Sequence, residues 1–177
     1  VNYGQSTNDV IPTAGKMTSL RLLKKLKKEL YRLYDALAEK AKEFDHVIKM
    51  GRTQMQDAVP IRLGQEFHAY SVAIRRDINR IDKAMDEMRS LNMGGTAVGT
   101  GLNADETYLK RIVPNLSEVS GMDFVQAFDL IDATQNVDSF VSVSGSVKAC
   151  AVTLSKIAND LRLMSSGPRA GFGEINL

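Results

Sequence analysis

Two short stretches gather neutral hydrogen-bonding side chains directly ahead of helical sequence. One is Gly4-Gln5-Ser6-Thr7-Asn8-Asp9, leading into Val10-Ile11-Pro12-Thr13. The other is Gly51-Arg52-Thr53-Gln54-Met55-Gln56-Asp57, leading into Ala58-Val59-Pro60. At a helix N-terminus such hydroxyls and amides add to backbone N–H groups that lack a partner within the helix, and the helix dipole favours negative charge there. That combination suits a carboxylate or a phosphate. The plainer alternative is that Asn8 or Asp9 caps the first helix and Asp57 the second, each with a proline in its first turn. One cap, however, does not need four adjacent polar groups, and two such clusters in one chain favour a ligand.

The remaining chemistry-bearing residues read as structural. Gly99, Gly101 and Ala104 fit G-x-G-x-x-A, but no strand precedes them and no Gly-Lys-Ser/Thr follows, which makes Gly94–Asn103 a glycine loop and not a phosphate cradle. Lys24, Lys25, Lys27 and Lys28 are followed by Glu29, Asp35 and Glu39, the pattern of a solvated helix face. His46 and His68 stand without a metal-ligand pattern, so neither a metal nor another cofactor is expected. Cys150 sits on an apolar seam as a buried, inert thiol.

Long helices must position the two clusters. From Val10 to Ile48 the residues Ile11, Ala14, Leu22, Leu26, Leu30, Leu33, Leu37, Ala41, Phe44 and Ile48 step mostly by three or four, with no glycine or proline after Gly15. A helix of about 38 residues and roughly 57 Å is predicted, long enough to need a bundle around it. A second helix is predicted from about Pro60 to Leu91 on Leu63, Phe67, Tyr70, Ile74, Ile78, Ile81, Met85 and Met88. A shorter one follows around Thr107 to Val119, ending near Gly121, and a third long helix begins near Thr134. In the latter, Phe140, Val143, Val147, Cys150, Leu154, Ile157, Leu161 and Met164 form a heptad seam beside a second, small-residue face of Val137, Val141, Ser144, Ala151 and Ala158. Two partner helices of the same chain cannot cover both faces, so other subunits or further segments are expected to. The fold class is thus all-α, a long antiparallel helix bundle. In such a bundle the two clusters lie at opposite ends, about 45–55 Å apart, and can share one ligand only if it is held between subunits of a symmetric oligomer.

Composition narrows the class further. The 177 residues are 44% apolar and 25% charged, and 23 Lys+Arg against 21 Asp+Glu leave a net charge of +2, too small to imply nucleic acid or an anionic membrane. A single cysteine excludes a disulfide-stapled scaffold, and no run of eighteen uncharged apolar residues occurs; a cytoplasmic location is expected. The chain starts without methionine inside a polar motif and stops at Glu174-Ile175-Asn176-Leu177, which reads as one domain, 1–177, of a larger protein.

Taken in order, Gly4–Asp9, Gly51–Pro60 with Leu63-Gly64-Gln65-Glu66-Phe67, Gly95–Asn103 and Ser166-Gly167-Pro168-Arg169-Ala170-Gly171 resemble the aspartase/fumarase superfamily. The resemblance spans nearly the whole chain and is to the central helical domain of that fold. It implies the twenty-helix core of a homotetramer, with active sites contributed by three subunits. Gln54 stands where the fumarate hydratases of the superfamily carry a histidine, and Ser6-Thr7-Asn8 replaces their Ser-Ser-Asn, so the likeness is greatest to the ammonia-lyase branch; Gly4 before Gln5 is more fumarase-like. The implied reaction is reversible elimination of ammonia from L-aspartate to give fumarate, on a small dicarboxylate or amino-acid substrate and without a cofactor. By resemblance, Ser6 and Thr7 would hold the β-carboxylate, Asn8 the amino group, and Thr53 and Gln54 the α-carboxylate or amino end. The base of the family is a serine in a mobile Gly-Ser-Ser-x-Met-Pro-x-Lys-x-Asn loop, expected beyond Leu177; Ser165-Ser166 is followed by Gly167-Pro168-Arg169 and is not it. A hydratase and a non-catalytic assembly module are the alternatives, and the latter has no need of the two polar clusters.

Overall fold

The computed structural model describes residues 3–176; Val1, Asn2 and Leu177, which the 1–177 domain includes, lie outside the described residues. Among the described residues five helices dominate, α1 (Thr7–Glu43), α2 (Leu63–Glu87), α3 (Glu106–Ser120), α4 (Leu130–Gln135) and α5 (Asp138–Met164). Among the same residues four short strands lie between them, β1 (Ile48–Thr53), β2 (Gln56–Arg62), β3 (Ser90–Leu91) and β4 (Val125–Gln126). The all-α class and the three long helices are those the periodicity predicts. Three boundaries move. Helix α1 stops at Glu43 instead of Ile48, because Ile48 and its neighbours pair across an antiparallel hairpin. The stretch read as a loop entering a proline-started helix is that hairpin, and Pro60 lies within β2 opposite Met50, in a two-stranded ribbon where a missing N–H is tolerated. Asn136 is extended (φ −105°, ψ 144°), which separates α4 from α5 and delays the third long helix to Asp138.

The chain folds as two compact units, 3–25 with Ile81–Gly145 and Leu26–Arg80 with 146–176. In the first, the buried line of α1 is Asp9, Thr13, Lys16, Leu20 and Leu23, at the expected helical period but on a different face. Ile11 and Leu22, predicted as core, are 64% and 58% exposed. An apolar pattern misses this face because its first three members are polar. Asp9 is satisfied by backbone amides, and the Lys16 Nζ donates to the Ser90 carbonyl at 2.7 Å. Burial pushes the Lys16 amine below its usual value, against the opposing pull of the Asp138 carboxylate. Helix α3 begins where its Asp105 cap accepts from the Thr107 and Tyr108 amides at 2.8 and 3.1 Å, and ends at the left-handed Gly121 (φ 64°), as predicted.

The second unit is an up-down-up arrangement of three helical segments. Phe44 meets Phe67 with ring centroids 5.3 Å apart while Arg75 lies over Tyr31 and Tyr34, so α1 and α2 run antiparallel. Tyr70 donates to the Asp160 carboxylate at 3.0 Å while Cys150 feels Asp77 and Arg80, so α2 and α5 are antiparallel too. Burial, with the Asp77 charge added, raises the Cys150 thiol above its usual value, the state of an inert buried cysteine. The predicted α2 stripe from Leu63 to Met88 is buried throughout. On α5, Cys150, Ile157 and Met164 of the seam are buried, whereas Val137 just ahead of the helix and Val141, Ser144, Ala151 and Ala158 within it are exposed. Among the described residues α5 is also the one helix long and apolar enough, by length and composition alone, to cross a membrane.

Candidate active site

Ser6, Thr7 and Asn8 stand together at the start of α1. Ser6 is the N-cap: its Oγ accepts from the Asn8 amide at 3.1 Å, and the Asp9 carboxylate reaches back to the Ser6 amide at 3.0 Å, a reciprocal capping box. Capping therefore takes place at Ser6 and not at the expected Asn8 or Asp9, with Asp9 reaching back to close the box. It does not exhaust the residues. Accepting at Oγ leaves the Ser6 O–H free to donate, and Thr7 is exposed beside it. Gln5, Ser6 and Thr7, with Val10 and Ile11, line a depression of about 240 Å³ at the helix start.

The glycine loop packs on this helix end. Asp9 Oδ2 accepts from the Gly94 and Thr96 amides at 3.3 and 3.0 Å, and Asn8 Nδ2 donates to the Ala97 carbonyl at 2.7 Å. Gly99 and Gly101 donate to the Gly95 carbonyl at 2.9 and 3.1 Å. The amides of Gly94, Thr96, Gly99 and Gly101 are thus committed internally and not free for a phosphate, although a two-residue strand, β3, does precede the loop where none was expected. Gly99 (φ +92°) could carry no side chain, since a Cβ there would collide with the backbone of Leu130 and Ile131.

Thr53 and Gln54 lie in the second unit, at the tip of the β1–β2 hairpin, and both are exposed. Thr53 pairs with Gln56, and the two linking residues, Gln54 (φ 52°) and Met55 (φ 62°), are both left-handed, the backbone of a type I′ turn. Asp57 does not cap α2; it lies opposite Arg52 in the hairpin, with its carboxylate 3.4 Å from the guanidinium, and the Gln65 side chain accepts the Arg62 amide ahead of α2 instead. The two polar clusters thus belong to different compact units.

A charge cluster anchors the base of the hairpin. Lys49 Nζ lies 2.9 Å from Glu66 and 3.0 Å from Glu174, and Arg52 lies 2.7 Å from Glu174 while stacking 3.9 Å over the Phe172 ring. Burial alone would raise the Glu174 carboxyl; the bonds and charges of Arg52 and Lys49 outweigh it and hold the group below the usual carboxylate range. Sequence reasoning missed this cluster, because its members are spread over 126 positions from Lys49 to Glu174 and no local spacing connects them. It also missed the Asp9 clamp on the loop, although Ser6-Thr7-Asn8-Asp9 carries the capping-box spacing. Among the described residues no group of three or more His, Cys, Asp or Glu could hold a metal.

The sequence profile of the lyase family matches residues 1–177, the whole chain. The chain belongs to that family. Aspartate ammonia-lyases of Bacillus subtilis, Helicobacter pylori and Escherichia coli share 57%, 54% and 47% identity with this lyase chain over its full length. The chain spans only 37–38% of the length of those relatives. Among solved structures, a fumarate lyase:delta crystallin of Brucella melitensis covers 97% of the lyase chain with a TM-score of 0.94 and 46% identity, the match taking in 37% of that protein. A class II fumarase of Schistosoma mansoni covers 96% with a TM-score of 0.82 and 34% identity, over 39% of its own length. These likenesses place the lyase chain in the aspartase/fumarase superfamily, as its motifs imply, and its helices in the fold of that family.

Proposed function

We propose that the chain is the central helical domain, residues 1–177, of an aspartate ammonia-lyase that reversibly eliminates ammonia from L-aspartate to give fumarate. The observation that carries this reading is the 47–57% identity to aspartate ammonia-lyases over the full chain. The local geometry is compatible with it. The Ser6 and Thr7 hydroxyls at the N-terminus of α1 present donors to the β-carboxylate, with the helix dipole adding to them. Removal of the C3 proton places negative charge on that carboxylate, and donors fixed in advance around it are worth about 3 kcal/mol each in the transition state. Asn8 serves the amino group, and Thr53 and Gln54 the α-carboxylate or amino end of the same substrate. The proton-abstracting serine is assigned to the family's mobile loop beyond Leu177.

The reading includes a homotetramer whose sites draw Ser6–Asn8 and Thr53–Gln54 from different subunits, the arrangement that the family resemblance implies. The exposed Val141, Ala151 and Ala158 face of α5 is assigned to that assembly in place of a membrane, and the protein to the cytoplasm with no nucleic-acid partner. Fumarate hydration is the second reading, favoured by the likeness to the class II fumarase. Fumarate formation by the full-length protein, followed by ultraviolet absorbance with aspartate and with malate, separates them. Turnover of aspartate alone supports the ammonia-lyase, and turnover of malate alone replaces it with the hydratase.

A further inference from the structure

The Asn8 side chain has one group that donates and one that accepts, and its contact with the loop decides which of them faces outward. A carbonyl oxygen only accepts, so the 2.7 Å contact with the Ala97 carbonyl requires the Asn8 NH2 to face the loop. The Oδ1 is left to accept from something else. The Asn8 main chain is held as well, since Asn92 Nδ2 donates to its carbonyl at 2.9 Å and also reaches Thr134 Oγ1 at 3.1 Å. The orientation of the amide then depends on where the Ala97 carbonyl is kept. The two residues before Ala97 are Gly95 and Thr96, and Asp9 Oδ2 accepts from the amides of Gly94 and Thr96. Thr96 is left-handed (φ 58°), a conformation unfavourable for a β-branched residue, so the bond to Asp9 holds a backbone that would otherwise relax. Asp9 itself is fully buried, and its other oxygen takes the Ser6 amide.

We propose that Asp9 is a positioning residue for the reaction: by clamping Gly94 and Thr96 it fixes the Ala97 carbonyl, and through it turns the Asn8 Oδ1 toward the nitrogen of the substrate. This rests on the ammonia-lyase reading above. An oxygen that only accepts is suited to N–H donors and unsuited to a carboxylate, whereas the Ser6 and Thr7 hydroxyls beside it donate to a carboxylate. Disturbing Asp9 through the loop therefore weakens the handling of nitrogen and spares that of the dicarboxylate.

The reverse reaction of the full-length enzyme, fumarate plus ammonia, separates the two. Asp9→Glu keeps the charge and a residue well suited to closing a capping box, but its extra methylene displaces the carboxylate from the loop amides. The expected result is a rise of about tenfold in KM for ammonia, the scale of one hydrogen bond, with KM for fumarate changed less than about twofold and the thermal midpoint kept. Asp9→Asn, with one acceptor replaced by a donor, shows the same selectivity with a lower midpoint. In an Asn8→Ala background Asp9→Glu adds no further change in KM for ammonia, because the two residues act in series. Equal rises in both KM values, additivity in the double variant, or loss of the fold in Asp9→Glu would each overturn the positioning role. A wild-type enzyme that does not turn over aspartate would overturn the parent activity, a result distinct from intact wild-type turnover without the selective ammonia effect.

Discussion

The start of α1 and the tip of the β1–β2 hairpin are both polar clusters, yet they are held in place by different physics. Around Ser6–Asn8 the restraints are short, neutral or singly charged hydrogen bonds to backbone groups, converging on one buried carboxylate, Asp9. Each bond fixes a specific atom. Around Thr53 and Gln54 the restraints lie below the tip, in ion pairs among Lys49, Arg52, Glu66 and Glu174, while the tip keeps its shape through two left-handed residues. The first arrangement can dictate which way an amide points; the second can dictate where a hairpin stands. If the two regions differ in this way, removing the Ser6 cap at the α1 end acts on binding geometry and helix stability together, whereas truncation at the hairpin tip separates the two.

The largest expected effect follows from what neither cluster contains. Both offer donors and neither offers a base aimed at a C3 proton, so the 177-residue chain produced alone should show no fumarate formation from aspartate. Turnover near the roughly 10 per second of a typical enzyme would mean that a base lies within these residues. Next in size, Ser6→Ala and Thr53→Ala in the full-length protein should each lower kcat/KM by about 3 kcal/mol, roughly a hundredfold. They part on stability. Ser6→Ala also removes an N-cap and should lose about 1 kcal/mol of folding free energy, whereas exposed Thr53→Ala should stay within about 0.5 kcal/mol. Urea denaturation beside kinetics measures both, and equal stability losses would erase the distinction between the clusters.

What can be read from the sequence follows the same division. The α2 stripe is legible because every member is apolar at a regular period, and the end of α3 because Gly121 stands at its stop. The first turns of α1 are misread because Asp9, Thr13 and Lys16 occupy its buried face, and a period counted on apolar residues settles on Ile11 and Leu22 instead. The hairpin is hidden by Pro60, a helix-start signal that here sits in a strand, and by the absence of glycine from its turn, where Asn-Gly or Asp-Gly would have announced it. Ser6, Thr7, Asn8, Thr53 and Gln54 are visible by residue type, whereas Glu174 and Lys49 become neighbours only after folding.

The ionic anchoring of the hairpin predicts a pH dependence of stability. Glu174 is held below the usual carboxylate range, so its contribution to stability is fully present above its unfolded value, about 4.3 for a glutamate, and is lost as pH falls through the folded value. Glu174→Gln leaves Lys49 and Arg52 short of a partner and should destabilise the protein by about 1–3 kcal/mol near neutral pH. That difference should be flat from neutrality down to about pH 5 and shrink below it, as the wild-type carboxyl takes up a proton and comes to resemble the amide. Chemical denaturation of both proteins across this range checks the sign. A difference that grows on acidification would show that the carboxylate is not what anchors the hairpin.

The smallest effect tests the tip itself. Met55 has φ 62° in a two-residue turn whose second position favours glycine, and it is 67% exposed, so little packing is lost on truncation. Met55→Gly trades the steric strain of a left-handed methionine for a more flexible unfolded chain, two terms of opposite sign and each of order 1 kcal/mol. Because the native φ is one that an L side chain resists, strain relief should win. We expect a gain of about 0.5 kcal/mol, a rise of roughly 1–2 °C in thermal midpoint for a domain of this size. The Gln54 side chain beside it stays on the same turn, so KM for aspartate in the full-length enzyme should be unchanged. A fall in the midpoint would mean that Met55 contributes packing against the hairpin base, and that the tip, like the start of α1, is held by its contacts and not by its backbone alone.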